Sequence, residues 1–423
     1  MTASAQPLRL TFVGDVMPGR KVGASIASIG LQESARRIRR LLEETSSTAN
    51  CQLPIANPQL PTSRGLVIGN LECPLTSTWP DMPFKPDGGP NLRAGPEMAA
   101  WLAQAGFTAF SLANNHVFDC GQQGLAQTLD ALHGSGIRTV GAGRDIQEAH
   151  QPLILEQAGR RVGILAFGNA PASGPDGPSA CPFQSRALHR AFKLLPGGLD
   201  AVIVLMHSGL ELLEHPESWN RQFAAEALAE GADVVLGGHS HCIRGIRRGP
   251  QSPYIAIGHP QGPDGIVAFG LGDFLMDTAD QEHLRDHLAR TALTLLGFAP
   301  ADPLICREGL VVRLDIGPGG VESFQAQPIF VGDDFLPTWP DEPQRRRLQE
   351  KLRRLSADLD DPDCPAMMRV KAIERAHRAR YGSGRGWRSW LGLPLHLRPR
   401  HLRRLLGGIR TAKRRNGNRG QVA

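Results

Sequence analysis

The segment 107–121, "FTAFSLANNHVFDCG", contains an apolar run that stops abruptly at two asparagines and a histidine. The apolar half has the composition of a buried strand. Asparagine has a low strand propensity, and a polar side chain beside a core is costly unless it is hydrogen-bonded or holds a ligand. Asn114, Asn115 and His116 are therefore predicted either to shape a tight turn or to bind something.

The same pattern recurs along the chain. Apolar segments predicted as strands alternate with amphipathic segments predicted as helices, which indicates an α/β protein with layered sheets. Segment 265–274, "GIVAFGLGDF", is one of these predicted strands. Ligands in such sheets bind beyond the carboxyl ends of the strands. Polar residues of metal-binding type stand at several predicted strand ends: Asp15, Asn70, Glu72, Asn115, His116, His207, His239 and His241.

Each of these residues also has an ordinary explanation when it is taken alone. Asp15 suits a Gly-Asp turn, "HSH" at 239–241 suits a loop with two solvated histidines, and His207 suits a hydrogen-bonded histidine in a core. Their conjunction favours a shared site, because all the separate explanations would have to hold together. Asp, Glu, Asn and His on converging loops can bind divalent metals.

Composition indicates a globular protein. The chain has 423 residues, of which 41% are hydrophobic and 21% charged. No apolar run is long enough to span a membrane, and the N-terminal segment lacks the apolar region of a secretory signal. The seven cysteines are scattered, which favours a reducing compartment. We therefore expect a cytoplasmic location.

Charge is distributed unevenly. Residues 369–423 contain sixteen Lys and Arg against one acid, Glu374, so the rest of a chain of net charge +6 is acidic. We place a boundary near 335 and predict a basic amphipathic extension over 336–423. This extension is either solvated or attached peripherally to anionic lipid, with Trp387 and Trp390 in the interface. A nucleic-acid partner is not expected, because no nucleic-acid-binding motif is recognised.

Seven segments together resemble one known family. "TFVGDVM", "GNLECPLT", "SLANNHVFDCGQQGLAQTLDAL", "GIRTVGAG", "VIVLMHSGLE", "GADVVLGGHSH" and "GLGDF" occur in this order. They are similar to the CapA family, metallophosphatase-fold proteins associated with poly-γ-glutamate capsule synthesis. The resemblance implies a calcineurin-like metallophosphoesterase sandwich of two sheets flanked by helices over 1–335, with 45–64 as a loop insertion.

The resemblance also implies one or two divalent metal ions, of Mn, Fe, Zn or Mg. Glu72 of "NLE" would be the bridging carboxylate. The remaining ligands would be Asp15 and His241 for the first ion, and Asn115, His207 and His239 for the second. Such a metal pair would activate water and hold the substrate oxygens.

His116 would then be the general acid that protonates the leaving group. Asp119 would either orient His116 or cap the next helix, and the sequence leaves both roles open. Asn70 and Glu211 would support the ligands or face the substrate.

Two positions depart from the expected pattern. Met17 stands where typical phosphatases have a histidine, which leaves open whether one ion or two are bound. Asp273 stands where the family has asparagine, and its charge would either add a ligand or repel an anionic substrate.

The sequence therefore favours a metal-dependent hydrolase of the CapA type, linked to capsule or polyglutamate synthesis. Its substrate would be a phosphoester or an envelope polymer with γ-glutamyl linkages, and the site residues do not choose between them. The alternative is a non-catalytic accessory protein that binds an anionic polymer or partner proteins.

Overall fold

The computed structural model describes residues 7–44, 65–79, 90–170, 177–249, 265–280, 303–361 and 363–381, with side chains placed up to Arg375 in the last range. The predicted loop 45–64 and residues 382–423 lie outside the described residues. So does segment 253–259, "PYIAIGH", whose apolar composition also predicts a strand. In chain order the strands are β1 (Leu8–Val16), β2 (Leu66–Leu71), β3 (Ala109–Ser111), β4 (Arg138–Val140), β5 (Ala142–Gly143), β6 (Leu153–Gln157), β7 (Arg160–Gly168), β8 (Ser179–Ala180), β9 (Ala201–His207), β10 (Val234–Gly238), β11 (Ile246–Arg248), β12 (Ile266–Ala268), β13 (Asp273–Leu275), β14 (Glu308–Gly317), β15 (Gly320–Val331) and β16 (Pro337–Thr338).

The α-helices lie mostly between these strands. They are α1 (Arg20–Ile29), α2 (Leu31–Glu43), α3 (Met98–Gln104), α4 (Gly121–Gly134), α5 (Ile146–Ala149), α6 (Ser185–Phe192), α7 (Ser218–Glu230), α8 (Glu342–Asp358) and α9 (Pro365–Tyr381). Short 3₁₀ turns span Thr278–Asp280 and Pro303–Arg307. Within the described part of the chain, no helix is both long and apolar enough to cross a bilayer.

Two large sheets organise the chain. The first has the order β16-β15-β14-β1-β2-β3-β4, with β13 also paired to β1, and the second has the order β11-β12-β10-β9-β7-β6. Strands β1 to β4 run parallel in the first sheet, and β7, β9, β10 and β12 run parallel in the second. The carboxyl ends of parallel strands therefore gather at one edge of each sheet.

Alternation along the strands builds the core. On β1, Leu10 and Phe12 belong to the core between the two sheets, which also contains Ile203 of β9, whereas Val13 and Val16 belong to the cluster under the helices. Helices α1 to α4 cover the outer face of the first sheet, and α6 and α7 cover that of the second. Because successive strand side chains point to opposite faces, both faces of each sheet are buried. The predicted sandwich of two sheets flanked by helices is confirmed.

The predicted strand 265–274 is wrong as a single element. Its first part is β12, which pairs with β10 in the second sheet, and its last residues begin β13, which pairs with β1 in the first. Leu271 lies in the core between the sheets, so the chain crosses from one sheet to the other. Gly272 makes the crossing with a φ of 66°, and a Cβ there would lie 2.2 Å from the Glu308 carbonyl oxygen.

The described part of the C-terminal extension packs on this sandwich. Leu348, Leu352 and Leu355 of α8 are buried in the core between the sheets. The Ile246 amide donates to Ser356 Oγ at 3.0 Å, which fixes α8 against β11. Helix α8 is thus part of the same folded body as the strands.

Candidate metal centre

The ends of the parallel strands bring the predicted polar residues together. Asp15 in β1 is in register with Asn70 of β2 on one side and with Asp273 of β13 on the other. In the second sheet, His207 ends β9, and it is in register with Gly238, which ends β10. The ligand-type side chains at this edge are all buried: Asp15, Glu72, Asn115, His116, His207, His239, His241 and Asp273.

Six of these residues form two groups that can hold a metal ion. Within each group one ligand atom from each residue lies within 4.8 Å of the others. The groups are Glu72, His207 and His239, and Asp15, His241 and Asp273. Glu72 Oε1 faces both groups, since it lies 3.3 Å from His207 Nε2 and 3.8 Å from His241 Nε2.

The hydrogen bonding of the centre fits a bound cation. Both carboxylate oxygens of Glu72, Nδ1 of His239 and Oδ2 of Asp273 are buried, and none has a hydrogen-bond partner among the described residues. A buried carboxylate oxygen or imidazole nitrogen without a hydrogen bond is costly, so native structures satisfy such atoms by pairing them or by binding metal. The residues present therefore suit a divalent ion, with carboxylate oxygens and imidazole nitrogens as donors.

Electrostatics within the centre keep one imidazole neutral. Burial lowers the pKa of His207, but the charge of Glu72 and the Asp15 carboxylate 3.6 Å away outweigh it and raise that pKa to about 9. Burial also raises the pKa of Asp15, yet the nearby His207 imidazole holds it below its ordinary value. Burial and the nearby imidazoles lower the pKa of His239 well below its usual range, which leaves a neutral nitrogen available as a ligand.

Asp273 and Met17 account for the two departures seen in the sequence. Asp273 Oδ1 lies 2.8 Å from His241 Nδ1, and Asp15 Oδ2 lies 3.7 Å from the same nitrogen. Burial raises the pKa of Asp273 to about 6. Met17 is fully buried in the core under the helices. The position that is histidine in typical phosphatases thus supplies packing here, while Asp273 brings a carboxylate to the group of Asp15 and His241.

His116 lies at the edge of the centre. Its Nδ1 is 2.6 Å from Asp119 Oδ2, and that oxygen also accepts a hydrogen bond of 2.6 Å from the Leu92 amide. Its Nε2 points toward the centre and lies 4.0 Å from Glu72 Oε1. Asp119 therefore contacts His116 on the side away from the ligands, which is the arrangement that orients an imidazole.

The two asparagines at the end of β3 have different contacts. Asn114 Nδ2 donates to the Leu71 carbonyl at 2.7 Å, and Asn114 Oδ1 accepts from the His116 amide at 3.0 Å. Asn114 thus shapes the turn. Asn115 Oδ1 instead lies 2.9 Å from His207 Nε2, inside the centre.

Asn70 and Glu211 differ in their relation to the ligands. Asn70 Nδ2 donates to Asp15 Oδ1 at 2.8 Å and lies 3.1 Å from His207 Nδ1, so it supports two ligands at once. Glu211 is half-buried and belongs to neither ligand group. Burial, with smaller contributions from charges that include Glu211, raises the pKa of the Cys306 thiol.

The backbone at "HSH" is unusual. His239 and His241 have φ of 77° and 50°, a region that residues other than glycine rarely adopt. The preceding Gly238 leaves room for the ligands, because a Cβ there would lie 3.0 Å from Asp15 Oδ1. Such conformations gather at functional sites, where surrounding structure imposes them.

The fold and the centre together define the class of protein. It is a two-sheet α/β sandwich with buried carboxylates and imidazoles at its strand ends. The family model described as "Bacterial capsule synthesis protein PGA_cap" matches residues 9–278, and the chain belongs to this family.

Similar proteins include capsule biosynthesis protein CapA of Bacillus anthracis, 26% identical over 308 residues, which are 70% of this chain and 67% of that protein. PGA biosynthesis protein CapA of Bacillus subtilis (strain 168) is 25% identical over 311 residues, 71% of this chain and 73% of that protein. A probable polyglutamine synthesis accessory protein of Mycobacterium tuberculosis (strain ATCC 25618 / H37Rv) is 30% identical over 235 residues, 51% of this chain and 56% of that protein.

Solved structures resemble the chain more distantly. A hypothetical protein from Thermus thermophilus has a TM-score of 0.41 at 16% identity, covering 76% of this chain and 98% of that one. Sulfate thiohydrolase SoxB of Thermus thermophilus, in complex with glycerol, has a TM-score of 0.37 at 11% identity, covering 90% of this chain and 62% of that one.

Proposed function

We propose that the protein is a metal-dependent hydrolase of the CapA type. The observation that carries this proposal is the Glu72 carboxylate. Neither of its buried oxygens has a hydrogen-bond partner among the described residues, and Oε1 faces both ligand groups. Glu72, His207 and His239 would hold one ion, and Asp15, His241 and Asp273 a second. Asn115 would complete the first of these sets, since its Oδ1 lies beside His207.

The chain's own residues then divide the remaining work. When bound, a divalent ion of the Mn, Fe, Zn or Mg type supplies Lewis-acid polarisation of the scissile group and a more acidic water. His116 transfers the proton to the leaving group at Nε2, because Asp119 occupies Nδ1. Asn70 holds Asp15 and His207 at fixed separation. Burial of the centre excludes bulk water and strengthens each electrostatic contact.

The proposed substrate is an anionic polymer with γ-glutamyl linkages or a phosphoester. The names of the Bacillus relatives refer to capsule and PGA biosynthesis, and the name of the Mycobacterium tuberculosis relative refers to polyglutamine synthesis. In hydrolysis of a γ-glutamyl linkage and in hydrolysis of a phosphoester, water attacks an electrophilic carbon or phosphorus atom whose oxygen gains negative charge. The same ligands therefore serve either reaction.

Metal analysis with a substrate screen tests the proposal. We expect purified protein to carry a divalent metal, measured by inductively coupled plasma mass spectrometry. We also expect it to hydrolyse either bis(p-nitrophenyl) phosphate or γ-glutamyl-p-nitroanilide, with loss of the rate on chelation and recovery on metal return. Protein that binds none of Mn²⁺, Fe²⁺, Zn²⁺ or Mg²⁺ would contradict the metal centre. Metal-loaded protein inert toward both substrates and toward polyglutamate would contradict the hydrolase.

A second candidate function is a non-catalytic accessory role, in which the protein binds an anionic polymer or partner proteins. The word "accessory" in the names of the mycobacterial relatives favours it. Metal-loaded protein that binds poly-γ-glutamate in equilibrium dialysis and leaves its length unchanged would support this role over hydrolysis.

A further inference from the structure

The turn that carries His239 and His241 needs external support, since both residues have left-handed backbone. That conformation is costly for a residue with a Cβ unless its surroundings impose it. Ser240 lies between them, and its carbonyl accepts a hydrogen bond of 2.8 Å from the Leu212 amide. The turn is thus attached to segment 208–213, which follows directly on β9.

A fully buried ion pair holds that segment in place. The side chains of Arg244 and Glu217 are both 0% exposed. The Arg244 guanidinium lies 3.1 and 3.2 Å from the two Glu217 carboxylate oxygens. Arg244 also donates to the carbonyls of Leu210 at 3.0 Å and Leu213 at 2.7 Å, and Glu217 accepts from the Leu210 amide at 2.5 Å.

Asn220 and Gly209 complete the contact. Asn220 Nδ2 donates to Glu217 Oε2 at 3.0 Å and to the Ser208 carbonyl at 2.9 Å. Gly209, with a φ of 129°, lies so close that an added Cβ would be 2.8 Å from Asn220 Nδ2 and 3.1 Å from Arg244 Nη1. Segment 208–213 therefore packs directly against the ion pair. This close packing explains why Gly209, the glycine of "HSGLE", has no side chain.

We propose that the Arg244–Glu217 pair is a positioning clamp for the histidine turn 239–241. The clamp acts through segment 208–213 and not through contact with metal or substrate. Because the same segment follows directly on His207, the clamp fixes the two ligand groups relative to each other. A buried ion pair is weak evidence for stability, since desolvating two charges offsets much of their attraction, and a role in holding one geometry accounts for its retention here.

The clamp rests on the proposed metal centre and is tested by metal affinity, which a purely stabilising pair would not change. Mn²⁺ binding to the full chain is measured by isothermal titration calorimetry, and folding by the melting temperature of the metal-free protein. Glu217→Gln and Arg244→Lys should raise the Mn²⁺ dissociation constant by about 10–100-fold, the usual effect of losing a group that orients metal ligands. The matched control is Asp315→Asn, which removes the charge that pairs with Arg9 at 2.9 Å. Arg9 lies in the amino-terminal half of β1, opposite Asp315 of β14. The control should lower the melting temperature at most and leave the dissociation constant unchanged.

An unchanged Mn²⁺ affinity in folded Glu217→Gln would overturn the clamp. If that variant does not fold, Asn220→Ala is measured instead, because it removes the Ser208 contact without leaving a buried charge unpaired. Wild-type affinity in Asn220→Ala would then overturn the clamp equally. The metal centre has its own test, since His239→Ala removes a ligand. If His239→Ala also binds Mn²⁺ as the wild type does, both the metal centre and the clamp are wrong. If His239→Ala loses affinity while the clamp variants keep wild-type affinity, only the clamp is wrong.

Discussion

At the scale of single residues, His239 offers the sharpest test of the ligand assignment. Its Nδ1 is buried without a hydrogen-bond partner among the described residues, and the lowered pKa of the imidazole keeps the ring neutral. His239→Ala should therefore remove most of the bound metal while the protein stays folded, as measured by metal content per mole and by circular dichroism. His189→Ala is the matched control, because that histidine is 51% exposed on α6 and lies outside both ligand groups. Wild-type metal content in His239→Ala would show that the assignment is wrong.

His116 should serve the reaction and not metal retention. Its Nδ1 is held by Asp119, and its Nε2 stands 4.0 Å from Glu72, farther than the His207 nitrogen at 3.3 Å. Loss of a general acid lowers the rate by roughly 10²–10⁴. His116→Ala should show such a loss in kcat at full metal content, and Asp119→Asn a smaller one. If metal leaves together with the rate, His116 is a ligand. An unchanged rate on a substrate with a poor leaving group would exclude the acid role.

Residue types at strand ends made much of the centre predictable. Asp15, Glu72, His207, His239 and His241 each interrupt or end an apolar run, and a local pattern of this kind is visible in sequence. Arg244 was not predicted, because its partner Glu217 is 27 positions away and neither residue stands at a strand end. Its only signal was an arginine three residues after "HSH", between Ile243 and Gly245.

At the scale of elements, glycine explains where the strand prediction was wrong. Segment 265–274 reads as one apolar run, because strands of both sheets share the same composition. The break at Gly272 comes from its backbone conformation and its close contact with the Glu308 backbone. Neither feature changes the periodicity of apolar residues in the sequence. The separation matters for the centre, since it places Asp273 on β13 beside Asp15. The sequence left open whether Asp273 adds a ligand or repels an anionic substrate.

Gly272→Ala should therefore be strongly destabilising. A Cβ would lie 2.2 Å from a backbone oxygen at a φ of 66°, so the chain would have to move or leave the conformation. We expect a loss of about 1–3 kcal/mol or more in the free energy of unfolding, the range for strained backbone positions. Gly134→Ala is the matched control, because a Cβ at this last residue of α4 meets nothing within 4 Å. Urea denaturation of both variants measures the difference, and equal stability would refute the steric account.

At the scale of the whole molecule, the C-terminal extension has two parts with different expected roles. Helix α8 buries three leucines in the core and carries Lys351, which lies 2.5 Å from the buried Glu308. Burial of a leucine contributes about 1.5–3 kcal/mol, so α8 matters to a fold of ordinary stability. The sequence marked α8 as amphipathic but could not show what its apolar face covers, since that depends on strands far away along the chain.

Residues 382–423 are the part for which surface attachment remains our proposal. They contain eleven Arg and Lys and no Asp or Glu, with Trp387 and Trp390 among them. Each basic residue near an anionic membrane contributes about 1 kcal/mol, so a few suffice for binding at moderate salt. Full-length protein should co-sediment with phosphatidylserine-containing vesicles, and a chain ending at Tyr381 should stay folded, keep its metal and remain in the supernatant. A chain ending at residue 341 should lose cooperative unfolding, because it also lacks α8.

The outcome of sedimentation separates the two views of this segment. Binding that falls with added salt and disappears in vesicles of phosphatidylcholine alone would follow from the charges, because screening weakens attraction between exposed groups. Equal binding by the full chain and the chain ending at Tyr381 would place the contact elsewhere on the molecule. If neither chain sediments, residues 382–423 have no lipid role and the solvated extension is the correct description. The lipid-bound outcome would bring the metal centre to a membrane surface through a segment that includes none of the proposed ligands.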